Sequence, residues 1–250
     1  MPFLAVGVEH KTSPLVVRES VALNDEELAL AAGDLARNPA IDEVAILSTC
    51  NRTEVYVFGD DIPGIAAAIR AYLTARDERL AGYLQTWEET AAVEHLFRVA
   101  SGLESQILGE PQVLSQVREA LETGQRLETI GPNLHSLFRA AISCAKQARA
   151  GTALGRVNTS IGAEAVREAE EALGTLEGRS ALLIGSGEIG RLVAEELRAG
   201  GVRSLYIANR TESIAVDLAA QYGGTPARFV DIPRIIPRVD IVISCTSAHH

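Results

Sequence analysis

The chain opens with a compact apolar run, "FLAVGV", which predicts a strand over 3–8, and leaves it through a polar loop, "EHKTSP". Ser13-Pro14 has the signature of a helix start, with the proline near the first helical position. A second start lies in "LNDEELALAAGDLARNP", with Asn24 as cap, acids in the first turn, and Leu28, Leu35 and several alanines on one face. Apolar residues return at Val44, Ile46 and Leu47 and alternate at Val55 and Val57. They predict one strand, interrupted at its centre by Cys50, Asn51, Arg52 and Glu54. A helix over 62–77 follows, so the order is strand, helix, strand, helix, an α+β or α/β pattern.

From Glu88 to about Arg149 the periodicity is helical almost throughout. Val93, Leu96, Phe97 and Val99 fall at helical intervals in "TAAVEHLFRVASGLESQILGE", as do Val113, Leu114, Val117 and Leu121 in "PQVLSQVREALETGQRL". Gly131-Pro132 breaks the run and "NLHSLFRAAISCAKQARA" resumes it. Residues 152–174 predict a further helix, capped by Thr159 or Ser160, with Glu164 in its first turns. At Gly178 the texture changes. Residues 182–184 and 241–243 are continuous apolar runs suited to a sheet covered on both faces, and "RSLYIANR" and "TESIAVDLAAQYGG" between them read as strand and helix. The expected organisation is an α+β domain over 1–155, a linker helix over 156–178 and a Rossmann-type α/β domain over 179–250.

Composition places the chain among ordinary globular proteins, large enough to bury a core without disulfide or metal staples. Its net charge of −10 argues against an open basic platform for nucleic acid, although steering depends on where charges lie rather than on their sum. The amino terminus lacks the pattern of a signal peptide and no apolar segment approaches ~20 residues, so a cytoplasmic protein without a membrane span is expected. The three cysteines, Cys50, Cys144 and Cys245, are widely spaced and carry no metal-ligand pattern. Cys144 reads as a packing residue of an amphipathic helix.

"LLIGSGEIGRLVAEEL" sets Gly185, Gly187 and Gly190 between a predicted strand and helix, the context in which GxGxxG binds a dinucleotide. The loop formed by Gly185, Ser186, Gly187, Glu188, Ile189 and Gly190 would meet the pyrophosphate at the helix amino terminus. The next strand ends in Asn209 and Arg210, where an NAD site would offer an acid; an arginine there suits a 2′-phosphate and hence NADP(H), unless it is only a solvated loop residue. Cys50 admits three readings: a small buried residue, a metal ligand without partners, or a nucleophile whose thiolate is favoured by Arg52.

Together "GVEHKTSP", "LSTCNRTEVY", "HLFRVASGLESQILGEPQVLSQVREA" and "LLIGSGEIG" with "ANRT" resemble the glutamyl-tRNA reductases, in consistent order over nearly the whole chain. The resemblance implies that Cys50 attacks the ester joining glutamate to tRNA. The resulting thioester would be reduced with NADPH to glutamate-1-semialdehyde, the first step of tetrapyrrole (porphyrin) biosynthesis by the five-carbon route. It implies that Thr49, Asn51 and Arg52 form a substrate loop, with Arg52 as a bidentate partner for a glutamate carboxylate. Ser105, Glu110, Pro111, Gln112 and Gln116 match a second substrate segment, in which Glu110 would hold the ammonium. His95 matches a histidine important for activity, as a hydrogen-bond donor to the carbonyl; without the family it reads as a structural histidine. His10 matches a loop position to which no chemistry is assigned.

The implied partners are glutamyl-tRNA(Glu), a second copy through a C-terminal domain, and glutamate-1-semialdehyde aminomutase. Relatives continue past the nucleotide domain, so the chain is expected to be truncated, with His249-His250 native or appended. Such a piece would dimerise poorly, hold tRNA poorly and have a marginally stable Rossmann half. Two other readings stand. Cys245, in "DIVISCTS", resembles the cysteine segment of phosphorylating aldehyde dehydrogenases and would make the chain an acyl-phosphate or CoA-linked reductase. A non-catalytic nicotinamide-binding module is the other, since fold alone does not fix function.

Overall fold

The computed structural model describes residues 2–155 and 161–245, apart from the side chains of Ile161 and Glu188. Thr159, Ser160, His249 and His250 lie outside the described residues. The chain divides into two compact units, Met1–Asn158 and Thr159–His250.

The first unit is built on an antiparallel sheet of order β2-β3-β1-β4, with β1 at Phe3–Glu9, β2 at Ile41–Ser48, β3 at Arg52–Gly59 and β4 at Gln85–Glu88. The single strand expected over 44–58 is therefore a hairpin. Thr49 makes the turn: its N–H donates to the Arg52 carbonyl (2.8 Å), and its Oγ1 accepts from the Asn51 and Arg52 backbone N–H groups (3.1 and 3.2 Å). A threonine hydroxyl that closes a turn on its own backbone leaves no mark on the hydrophobic period, which is why alternation alone merged the two strands.

Both faces of this sheet are covered. On one, Leu4, Val6, Val44, Ile46, Val55 and Val57 pack with α1 (Leu15–Glu19), α2 (Asp25–Ala36) and α3 (Ile62–Thr74), through residues such as Val17, Leu35, Ile65 and Ile69. On the other, Phe3, Ala5, Ala45, Leu47 and Tyr56 meet α4 (Glu89–Ala100), α5 (Gln112–Arg126) and α6 (Pro132–Gly151). Asn24 caps α2 reciprocally with Glu27.

The expected helical run from Glu88 is interrupted at 101–111. There Gly102 and Gly109 adopt φ of +78° and +79°, and the Gly102 carbonyl accepts from the Gly109 N–H at 2.9 Å. A Cβ on Gly102 would lie 3.0 Å from the Gly109 Cα, so the loop closes where neither residue has a side chain. Cys144 also differs from expectation. The buried stripe of α6 runs through Leu134, Phe138, Ala141, Ile142 and Ala145, and Cys144 faces outward.

The second unit holds a parallel sheet of order β7-β6-β5-β8: β5 at Ser180–Ile184, β6 at Ser204–Asn209, β7 at Thr225–Arg228 and β8 at Ile241–Ser244. Helices α8 (Glu188–Ala199) and α9 (Glu212–Gln221) make the crossovers from β5 to β6 and from β6 to β7. The helix read as a linker is α7 (Ile161–Leu173); it belongs to this unit, with Gly162 seated against Leu192 and Val193 of α8.

Candidate active site

Strand directions gather the chemistry at one edge of the first sheet. β1 is antiparallel to β3 and β4, and β3 is antiparallel to β2, so the ends of β1 and β2 and the starts of β3 and β4 share that edge. Glu9, His10 and Lys11, the 49–51 turn and Arg52 all sit there. Helix α4 starts from the far end of β4 and runs back, which delivers the 101–111 loop to the same place.

Beneath the turn, Arg52, Glu54 and Tyr56 alternate on one side of β3, facing α4. Arg52 is 2% exposed and Glu54 is fully buried. One Arg52 amino group donates to Glu54 Oε1 (2.8 Å) and the other to the Glu104 carbonyl; Tyr56 Oη donates to Glu54 Oε2, and His95 Nε2 lies 3.0 Å from Glu54 Oε1. Burial pushes the Glu54 carboxyl up, but Arg52, His95 and Tyr56 outweigh it and hold the group at about 2. An ionised carboxylate only accepts, so His95 carries its proton on Nε2. The imidazole also stacks on Trp87, with ring centroids 3.8 Å apart. Gly7 stands opposite Glu54 in the register, and a Cβ there would come 2.8 Å from the Glu54 Cγ, so the glycine is what lets the carboxylate in.

The 101–111 loop is moored by Glu104, whose carboxylate accepts from Lys11 and from Arg98 Nε (2.5 Å). Above this floor Cys50 is exposed at the tip of its turn. Crowding on its sheltered side and the Glu110 carboxylate push its thiol up, while its own backbone N–H and the Arg18 guanidinium pull it down. Several buried polar atoms at this edge have no hydrogen-bond partner among the described residues: Glu9 Oε2, which lies 3.9 Å from Arg52 Nη1, His10 Nδ1 and Arg18 Nε. Burial and the cations Arg52, Arg18 and Lys11 hold His10 below its ordinary value, so its ring is neutral.

In the second unit, Gly185 ends β5 at φ +98°, and a Cβ on Gly190 would lie 2.4 Å from the Gly185 carbonyl oxygen. The space around Gly187 is open, and Ser186 Oγ is buried without a partner. This cradle at the start of α8 fits a pyrophosphate, with the serine hydroxyl and helix N–H groups as donors. Ile189 packs into the core of the unit. At the end of β6, Asn209 Nδ2 donates to the Thr211 carbonyl (3.3 Å), and Arg210 is exposed and in no ion pair among the described residues. Cys245 is half-buried, its N–H donating to the Ile184 carbonyl (2.7 Å); burial pushes its thiol up with no charged group among the described residues to offset it.

Residues 6–152 match the family model described as "Glutamyl-tRNAGlu reductase, N-terminal domain". The chain belongs to the glutamyl-tRNA reductase family. Residues 167–250 match the model for shikimate / quinate 5-dehydrogenase. The chain is 41% identical over 248 residues to the glutamyl-tRNA reductase of Stenotrophomonas maltophilia (strain K279a), covering 99% of the chain and 57% of the relative. With that of Pseudomonas entomophila (strain L48) it shares 43% over 252 residues, again 99% of the chain, and 59% of the relative. The solved structure of glutamyl-tRNA reductase from Methanopyrus kandleri aligns with a TM-score of 0.58 at 36% identity, over 99% of the chain and 59% of that protein. The chain thus spans somewhat more than half the length of these relatives.

Among the residues marked out by the glutamyl-tRNA reductase blocks, Thr49, Cys50, Asn51 and Arg52 share one turn, His95 meets it through Glu54, and the loop that carries Ser105 and Glu110 is joined to it where Arg52 donates to the Glu104 carbonyl; Pro111, Gln112 and Gln116 follow that loop at the start of α5. Two expectations change in detail. The Arg52 guanidinium is turned into the floor, donating to Glu54 and to the Glu104 carbonyl rather than pointing at the Cys50 thiol. His95 Nε2 is committed to Glu54, so the ring serves the floor rather than reaching outward as a free donor. Sequence reasoning named Glu54 without giving it a role and passed over Tyr56, Trp87, Glu104 and Arg18. Glu54 had a signal: Arg52, Glu54 and Tyr56 recur at period two opposite the apolar Val55 and Val57.

Proposed function

We propose that the protein is an NADPH-dependent glutamyl-tRNA reductase acting through a Cys50 thioester. The observation that carries this reading is the placement of an exposed thiol above a buried, fully paired Arg52–Glu54–His95 floor, beside the Glu110 segment. The Cys50 sulfur attacks the ester carbonyl carbon of glutamyl-tRNA, a C–S bond forms, the C–O bond to the ribose breaks, and the tRNA hydroxyl leaves with a proton. Glu110 receives the substrate ammonium. Arg52, buried and held rigid by Glu54 and the Glu104 carbonyl, supports the substrate loop from beneath, and Thr49, Asn51, Ser105, Gln112 and Gln116 surround the acyl group. The Gly185–Gly190 loop would hold a nicotinamide cofactor, which would supply the hydride to the thioester carbonyl carbon; the C–S bond then breaks, the Cys50 thiolate is restored and glutamate-1-semialdehyde leaves. Arg210, free of acidic partners among the described residues, favours NADPH over NADH. Among the described residues no helix is long and apolar enough to cross a membrane, and the reading places the enzyme in the cytoplasm with its charged tRNA.

The test uses radiolabelled glutamyl-tRNA without NADPH, on the chain extended to the length of its relatives. Thiol-labile label on the protein is expected, lost in Cys50→Ser, kept in Cys245→Ser, and chased to semialdehyde by NADPH. Label that survives Cys50→Ser and vanishes in Cys245→Ser would move the nucleophile to the second unit; no label on any variant would leave a nicotinamide-binding module.

A further inference from the structure

The end of the 101–111 loop is gripped from three sides at Gly109, the residue before Glu110. The Gly109 N–H donates to the Gly102 carbonyl (2.9 Å), and Arg149 Nη1 donates to the Gly109 carbonyl (2.6 Å). Behind it stands Leu154, whose Cδ2 and carbonyl oxygen would lie 3.1 and 3.3 Å from a Cβ on Gly109. The Gly109 carbonyl belongs to the peptide unit that begins Glu110, and the N–H of the same unit donates to the Ile107 carbonyl (3.1 Å). A peptide unit is planar, so a partner on each side fixes how the whole unit is turned, and with it the direction in which the buried Glu110 side chain sets out. Arg149 can hold its end because α6 is a fixed arm. At the first turn of α6, Glu43 of β2 accepts from the Asn133 N–H (3.0 Å), Asn133 Nδ2 (2.8 Å) and the Leu134 N–H (2.6 Å), and the buried stripe from Leu134 to Ala145 packs in the core of the first unit. Past the last turn, Thr152 Oγ1 donates to the Ala148 carbonyl (2.6 Å) and accepts from the Leu154 N–H (3.2 Å), which sets Leu154 against Gly109. A basic side chain in a last turn ordinarily serves the carbonyls of its own helix end. Arg149 instead reaches a carbonyl forty positions away.

We propose that Arg149 is a positioning residue for Glu110: by holding the Gly109 carbonyl it aims the carboxylate that receives the substrate ammonium, without touching the substrate itself. Without the guanidinium, a carbonyl at a buried glycine loses its charged donor and the peptide unit before Glu110 is free to turn. The purpose rests on the reductase reading, but the hold on the loop does not, and the test separates the two.

The test uses the chain extended to the length of its relatives. Arg149→Gln is expected to raise KM for glutamyl-tRNA about three- to tenfold, with kcat and NADPH affinity near the parent. Arg149→Lys keeps a charged donor and is expected to recover most of that loss. In a Glu110→Gln background the Arg149→Gln change is expected to add less than about twofold, because residues that act through one contact do not add. Hydrogen exchange read by mass spectrometry needs no turnover: peptides over 105–112 are expected to exchange faster in Arg149→Gln, and those over β3 to match the parent. If Arg149→Gln does not fold by circular dichroism, Arg149→Met, which keeps the packing of the stem, replaces it with the same expectations. Exchange unchanged at 105–112, a KM unchanged in an active enzyme, or an undiminished effect in the Glu110→Gln background would overturn the proposal. A parent that takes up no label from glutamyl-tRNA, with exchange still faster in Arg149→Gln, would uphold Arg149's hold on Glu110 while defeating the reductase reading.

Discussion

Arg52 and Glu54 show how strongly a few atoms constrain this site. A buried guanidinium and a buried carboxylate are each unfavourable alone and tolerable only as a hydrogen-bonded set. Glu54→Gln, which leaves Arg52 buried with a neutral partner, is expected to destabilise the fold by about 3–5 kcal/mol, read as a lower urea midpoint. The pH dependence has a definite sign. The Glu54 carboxyl sits at about 2 in the folded chain against an ordinary 4.5, so the unfolded chain binds the extra proton first. Stability from this group is present above about pH 4.5 and lost as pH falls towards 2, an effect on the order of 3 kcal/mol. Acid titration of stability should therefore be steeper in this window for the wild type than for Glu54→Gln. Equal slopes would mean that Glu54 is not held ionised by the network.

At the scale of elements, two close approaches position the site. β1 can pass over Glu54 only because Gly7 has no Cβ; one there would meet the Thr53 carbonyl oxygen at 2.3 Å and the Glu54 Cα at 2.7 Å. Gly7→Ala is expected to cost about 1–3 kcal/mol by forcing the strands apart, and to slow thioester formation more than it weakens nicotinamide binding. The 101–111 loop depends on Gly102 at φ +78°, against the Gly109 Cα. Gly102→Ala combines a left-handed backbone with a tight contact, and is expected to cost about 1–2 kcal/mol. Because the loop carries Ser105 and Glu110, the matching kinetic change is a raised KM for glutamyl-tRNA.

For the molecule as a whole, each hydrophobic cluster draws its residues from one unit alone: two lie on the faces of the antiparallel sheet and two around the parallel sheet. Residues 1–158 are therefore expected to fold by themselves, to unfold in one cooperative transition and to keep the wild-type alkylation profile of Cys50. Calorimetry and alkylation of that piece check this, and a molten, non-cooperative fragment would show that the first unit needs the second. Nicotinamide binding is expected only in pieces that retain the Gly185–Gly190 loop, as measured by quenching of NADPH fluorescence.

Features written within a few neighbouring residues were legible in the sequence. The glycine spacing at 185–190, the Asn24 cap, three of the four strands of the second unit and the STCNR block with its cysteine all depend on local steric and hydrogen-bonding rules, which act the same way in any fold. The tertiary structure alone decided where charges point. A one-residue step along β3 reverses a side chain's face, so whether Arg52 looks towards Cys50 or into the floor depended on Glu54, on His95 forty-one positions away and on the Glu104 carbonyl. The hairpin at 49–51 and the break at 101–111 were hidden because the apolar period runs through both, and only Thr49's hydroxyl and the Gly102–Gly109 contact set them. The segment leaving α1 is tied to the stems of the Cys50 turn through hydroxyls on Ser48 and Thr53, bonds that join segments some thirty residues apart and that no local rule anticipates.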